Sequence, residues 1–201
     1  MTPTRMRTSR QGSTARLQSD RLVPAHKKEK QMTTRHALYA SPIGNLTLVV
    51  DGDALVGIYF PDHWTNPDTS TFGELVPLAS DGGFAEPVRQ LAEYFAGLRT
   101  TFDLTTAPIG SEFQRSVWAI LAGIPFGETV TYGQIARELG SPTMARLVGG
   151  AVGSNPLSIV VPCHRVVGSN GSLTGYAGGL ERKRFLLNLE EPEEASSERL
   201  F

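Results

Sequence analysis

The chain has 201 residues, 40% of them hydrophobic, with 19 Lys and Arg against 20 Asp and Glu and a single cysteine. That length supports one large or two small domains with real cores. One cysteine excludes an intramolecular disulfide framework and argues against a cysteine-based zinc site, and no apolar run is long enough to cross a bilayer.

The net charge of −1 hides an uneven distribution. Residues 1–35 carry nine basic and two acidic side chains, residues 36–110 two and nine, residues 111–190 seven and five, and residues 191–201 one and four. The section holding the cysteine is therefore the only positive part of the folded body, and a polyanion would meet the protein there.

In chain order, residues 1–35 are rich in Thr, Ser, Arg, Lys and Gln without periodicity, and read as a disordered basic leader. Order is expected from His36. His36 to Ser41, Leu46 to Asp51 and Ala54 to Phe60 read as short strands joined by tight turns, an antiparallel meander. Residues 61–82, with three prolines, read as loop. Glu86 to Leu98 places Val88, Leu91, Ala92, Phe95 and Leu98 on one helical face, and Thr101 to Thr105 is a further candidate strand. Nothing in this section, 36–106, is expected to carry chemistry, and His63 and Trp64 read as structural.

A second unit, 107–190, starts with Ser111 and Gln114 at capping-box spacing ahead of an apolar stripe through Phe113, Val117, Ile120 and Leu121. Thr131 caps a helix from Tyr132 to Leu139 that Gly140 closes. Ser141 and Pro142 open a third helix to about Val152. Two short helices around a glycine turn make a helix-turn-helix candidate, a pattern also common in proteins that never touch DNA. Ala145, Gly149, Gly150, Ala151 and Gly153 leave the third helix nearly bare around Arg146. Each glycine costs a helix roughly 1 kcal/mol, so close approach of a ligand or of another element is needed to compensate. A last helix, Leu180 to Glu190, is expected to pack Phe185, Leu186 and Leu189 and to present Arg182, Lys183 and Arg184 outward. Residues 191–201 form an acidic tail.

The chemistry-bearing stretch is Ser158 to Val167. Ser158 to Val161 reads as a buried strand that Pro162 stops, leaving Cys163 and His164 at a turn where adjacent side chains can cooperate. A thiol beside an imidazole and Arg165 can become a reactive thiolate, while the alternative is a buried structural cysteine. A working thiol suits the reducing cytoplasm.

Val161-Pro-Cys-His-Arg-Val166 resembles the active-site motif of the O6-alkylguanine-DNA alkyltransferases, also called methylated-DNA–protein-cysteine methyltransferases. The similarity runs in order from His36 to Glu190, through Ser41-Pro-Ile-Gly44, Phe126-Gly-Glu128, Thr131-Tyr-Gly-Gln134, Ala145-Arg146, Val148-Gly149, Asn155-Pro156, Gly175-Tyr176, Gly178-Gly179 and Leu186-Leu187 with Glu190.

The resemblance implies an α+β architecture: a small ribonuclease-H-like N-terminal domain, then a helical, winged-helix-like DNA-binding domain. It implies a single-use DNA repair reaction in which Cys163 displaces the alkyl group from O6 of guanine, and from O4 of thymine, and keeps it. In that scheme His164 takes the thiol proton through a water, Glu190 holds His164, Tyr132 protonates guanine N3, and Asn155 braces the turn, with Arg165 in support. The lesion is flipped out of the stack. The reader helix lies in the minor groove, with Ala145 and Gly149 close to the DNA and Arg146 filling the gap. Tyr176 and Ala177 line the base pocket, and the main chain of Val166 reads the base edge. The partner is double-stranded DNA; no cofactor, metal or membrane is implied, and the protein is expected to be monomeric. Leu147 stands where many relatives have alanine, and the leader has no counterpart. Two other classes compete: a non-catalytic damage-binding relative, against which Cys163 argues, and a helix-turn-helix regulator with a packing cysteine.

Overall fold

A computed structural model describes Met1 and residues 34–191; the expected leader up to residue 33 and the acidic tail from 192 onward lie outside the described residues. Strand β1 (Thr34–Ser41) includes Thr34 and Arg35, so the first strand begins two residues before His36, where it was expected. It pairs antiparallel with β2 (Gly44–Asp51), which pairs antiparallel with β3 (Ala54–Tyr59). The two-residue connection into Gly44 needs φ of +100°, open to glycine but not to a side chain. Leu46, Leu48 and Val50 alternate along β2 and are all fully buried, the two-residue period of a half-covered sheet.

A fourth strand, β4 (Glu74–Leu75), pairs parallel with β1 inside the segment expected to be loop, giving the order β3-β2-β1-β4. Thr101 to Thr105 forms no strand. Just beyond it a single bridge joins Thr106 to β3: Leu55 N–H donates to the Thr105 carbonyl, and the Leu55 carbonyl accepts Ala107 N–H. Helix α1 (Ala85–Phe95) buries Leu91 and Tyr94.

The second half opens with α2 (Glu112–Ala122), whose capping box is complete: Gln114 N–H donates to Ser111 Oγ, and Ser111 N–H to Gln114 Oε1. Short β5 (Val130–Thr131) leads into α3 (Tyr132–Glu138), opened by the same device between Thr131 and Gln134. Helix α4 (Ala145–Gly153) follows a single 3₁₀ turn at Pro142–Met144; Ser141 donates no cap to it, contrary to expectation. Helix α4 packs on both α2 and α3, and the Trp118 indole N–H donates to the Ala151 carbonyl at 2.8 Å. Strand β6 (Val166–Val167) lies parallel to β5, and α5 (Leu180–Leu189) closes the fold. The two halves share one core: Ile58 N–H donates to the Pro156 carbonyl, and Arg182 Nε to the Ile43 carbonyl.

Candidate active site

The segment before Cys163 is not a strand. Val160 N–H donates to the Ser158 carbonyl and Val161 N–H to the Leu157 carbonyl, so the chain turns on itself. Ile159 takes φ of +75°, a left-handed conformation that a β-branched residue rarely adopts. Asn155 holds the turn from inside. Its Nδ2 donates to the Val161 carbonyl at 2.8 Å and its Oδ1 accepts Leu157 N–H at 3.0 Å. The apolar run that reads as a strand is apolar because the turn is buried, and the side-chain amide supplies the hydrogen bonds that a ladder would have supplied.

Cys163, His164 and Arg165 form one 3₁₀ turn, and all three are buried. His164 Nε2 lies 2.8 Å from Glu190 Oε1. Arg165 grips the same carboxylate in a fork, Nε to Oε2 at 2.7 Å and Nη2 to Oε1 at 2.9 Å, and gives its Nη1 to the Ile124 carbonyl. Arg165 thus serves Glu190 rather than the thiol. A third donor comes from the first half of the chain, the hydroxyl of Tyr94, 2.6 Å from Glu190 Oε1.

Burial works against a charge on Glu190, yet the bonds from His164, Arg165 and Tyr94 outweigh it and hold the carboxyl at about 2. Burial pushes the Cys163 thiol up, against the pull of Asn155 and Lys183, and pushes His164 down, against Glu190. The resting state is a neutral thiol, a neutral imidazole and a carboxylate. With Glu190 ionised, Nε2 carries the imidazole proton and donates it. His164 Nδ1 is then a buried lone pair with no hydrogen-bond partner among the described residues.

Cys163 faces a cavity of about 210 Å³ lined by Trp64, Tyr132, Gly149, Val152, Gly153, Gly175, Tyr176 and Ala177. Five residues singled out in the sequence meet here: Cys163, Tyr132, Gly149, Tyr176 and Ala177. Tyr132 places its hydroxyl 3.4 Å from the Thr174 carbonyl at the mouth of the glycine-rich loop. Val166 is not among the lining residues, and its carbonyl accepts from Lys183 Nζ at 2.6 Å.

Lys183 corrects the expected outward basic face of α5. It is fully buried, also donates to the Thr174 and Gly175 carbonyls, and is lowered to about 8 by burial. Arg182 likewise turns inward over the Phe60 ring, and Phe185, expected to pack, is 39% exposed. Trp64 was missed for a simple reason: nothing in a proline-rich loop signals which cavity it will reach.

On the neighbouring surface α4 presents Arg146 and Leu147 to solvent. A Cβ on Gly150 would meet nothing within 4 Å, and one on Gly149 only the Tyr132 ring at 3.9 Å. Packing inside the molecule therefore does not require either glycine. Among the described residues no group of His, Cys, Asp or Glu could hold a metal ion, and no helix is long and apolar enough to cross a membrane.

Two family models match the chain. Residues 34–108 match the ribonuclease-like domain of 6-O-methylguanine DNA methyltransferase, and residues 112–192 its DNA binding domain. The chain is 48% identical over 161 residues to a methylated-DNA–protein-cysteine methyltransferase of Mycolicibacterium paratuberculosis, covering 80% of this chain and 94% of that protein. It is 45% identical over 164 residues to one from Methanosarcina acetivorans, covering 77% and 97%. A crystal structure of the Mycobacterium tuberculosis O6-methylguanine methyltransferase superposes with a TM-score of 0.71 at 43% identity, over 81% of this chain and 98% of that one. A structure from the same organism in complex with DNA gives 0.69 at 43% identity, with the same coverage.

Proposed function

The chain belongs to the methylated-DNA–protein-cysteine methyltransferase family, and from that premise we propose how its own residues remove an alkyl group from O6 of guanine in DNA. The observation that carries the reading is a buried cysteine at a cavity of about 210 Å³, beside an imidazole whose Nε2 is fixed by a carboxylate.

Cys163 gives its proton toward His164 Nδ1, the buried lone pair described above, directly or through one water. The imidazolium that forms is stabilised by Glu190, which Arg165 and Tyr94 hold ionised and oriented. The thiolate sulfur then forms a bond to the alkyl carbon as the carbon–O6 bond breaks. The departing oxygen's electron pair enters the purine, and Tyr132 supplies a proton at N3 so that guanine leaves neutral. The product thioether has no hydrolytic exit, so each chain reacts once.

A base cannot be attacked inside the stack, and the bare face of α4 suits an approach to the minor groove, with Arg146 replacing the flipped base. The gap in internal packing around Gly149 and Gly150 supports that placement. Tyr176 and Ala177 line the same cavity and would flank the base. We place the protein in the cytoplasm, where a working thiol stays reduced, and take it to act as a monomer.

Incubation with duplex DNA carrying O6-methylguanine should raise the intact mass of the protein by one methyl in place of one hydrogen. Cys163→Ser should bind the same duplex and gain nothing, because a hydroxyl is far from ionised at neutral pH. Methyl transfer to the serine variant would overturn the assignment of the nucleophile.

A further inference from the structure

Trp64 sits where a core tryptophan would not. Trp64 is 61% exposed, whereas Trp118 is 3% exposed. It nevertheless lines the cavity that holds Cys163, among the described residues the only lining residue from the first half of the chain. The loop that carries it is fixed on both sides. Trp64 N–H donates to the Ala177 carbonyl, in the glycine-rich loop, at 3.1 Å. The preceding His63 is buried, stacked on Phe60 and edge-on to Tyr59. On the α4 side the indole fills the space beside Gly153, where a Cβ would come within 2.7 Å of its Cζ2. The ring is therefore a positioned wall, held between α4 and the glycine-rich loop.

The cavity of about 210 Å³ lies below the roughly 300–1,000 Å³ of drug-sized pockets. An alkyl group in line with the Cys163 sulfur has to be housed within these same walls together with the base. We propose that Trp64 is a specificity-determining residue that stacks on the base and restricts the pocket to small alkyl groups. This rests on the alkyl-transfer reading given above. Apolar walls discriminate by size, and a single methylene is worth about 10–200-fold. An indole in place of open space has leverage of at least that size against a benzyl group.

The test is single-turnover transfer to Cys163 from free O6-methylguanine, free O6-benzylguanine and duplex DNA carrying O6-methylguanine, read by intact mass, for the wild type, Trp64→Ala and Trp64→Phe. Methyl transfer should slow in Trp64→Ala as the stacking wall is lost. The benzyl-to-methyl rate ratio should rise by at least about tenfold. Trp64→Phe, which keeps an aromatic wall and the loop's packing, should fall between the two. A ratio within about twofold of the wild type in both variants overturns the proposal. So does a loss confined to duplex DNA with both free bases unaffected, which would make Trp64 a groove contact. A wild type that transfers no methyl at all overturns the alkyl-transfer reading itself, whereas normal methyl transfer with an unchanged ratio overturns only the role of Trp64.

Discussion

The relay around Glu190 and the exposed face of α4 follow opposite rules. At Glu190 three donor residues, Tyr94, His164 and Arg165, converge on one buried carboxylate from two parts of the chain. A charge taken out of water needs partners, and the molecule supplies all of them itself. On α4, Arg146 and Leu147 stand in solvent and Gly150 faces open space. Nothing within the fold accounts for a helix so poor in side chains there. The first region is complete in itself, and the second makes sense only against a partner. Mutations should therefore damage stability and chemistry at the relay, and DNA-dependent steps alone on α4.

The largest expected effect is at the relay. Glu190→Gln leaves Arg165 buried without its counter-charge, which should cost about 3 kcal/mol of stability. It should also slow transfer by on the order of 10²-fold, since the imidazolium loses its stabilising carboxylate. Thermal melting and single-turnover rates on free O6-methylguanine measure both, and the free base shows the loss as fully as a duplex does. An unchanged rate on the free base would reduce Glu190 to a structural anchor.

Arg146→Ala should show the opposite pattern. Flipping costs a few kcal/mol, so transfer from a duplex should fall by about 10- to 100-fold. The loss should shrink when the lesion sits in an unpaired bulge and nearly vanish on the free base. Equal losses on all three substrates would place Arg146 in the fold or the pocket. A plain phosphate contact would instead lower the salt slope of binding by about one on any DNA.

Smaller again is Gly150→Ala. With open space around the new Cβ, the helix should gain up to about 1 kcal/mol, while duplex affinity falls several-fold as the backbone is held off the groove. Melting and binding would then move in opposite directions. A stable variant with unchanged affinity would remove Gly150 from the interface.

The first half of the chain gives the mildest test. Burial lowers His63 from 6.5 to about 4, so the unfolded chain binds a proton there more readily than the folded one. The stabilising effect of neutral His63 is fully present above about pH 6.5 and is lost as pH falls toward 4. His63→Asn should flatten that part of the stability profile, followed by chemical denaturation across the range. Glu190, depressed from 4.5 to about 2, acts in a separate window: its contribution is present above pH 4.5 and fades as the pH falls through 2.

What could be read from the sequence was local or motif-borne. The Ser111–Gln114 box needs four residues, and the β2 alternation from Leu46 to Val50 needs five. The cysteine, histidine and glutamate came from the ordered set of motifs. What escaped was long-range. Tyr94 meets Glu190 across 96 positions, and Trp64 reaches a cavity whose other walls begin at Tyr132. Lys183 was misread because a lysine among charged neighbours on a helix looks solvated. Its ammonium is buried by three carbonyls that no periodicity announces. Ser158 to Val161 misled in the other direction, since apolar β-branched residues mark burial as well as strands, and only the Asn155 bonds decide between them.

The central claim is that the buried relay delivers one alkyl group per chain to Cys163. Wild-type protein mixed with excess duplex carrying O6-methylguanine, followed over time for repaired guanine and for modified peptides, tests it most directly. The account predicts a plateau at one guanine per chain, with the methyl on the peptide holding Cys163. Continued turnover beyond one, or a plateau with the methyl on any other residue, would contradict it.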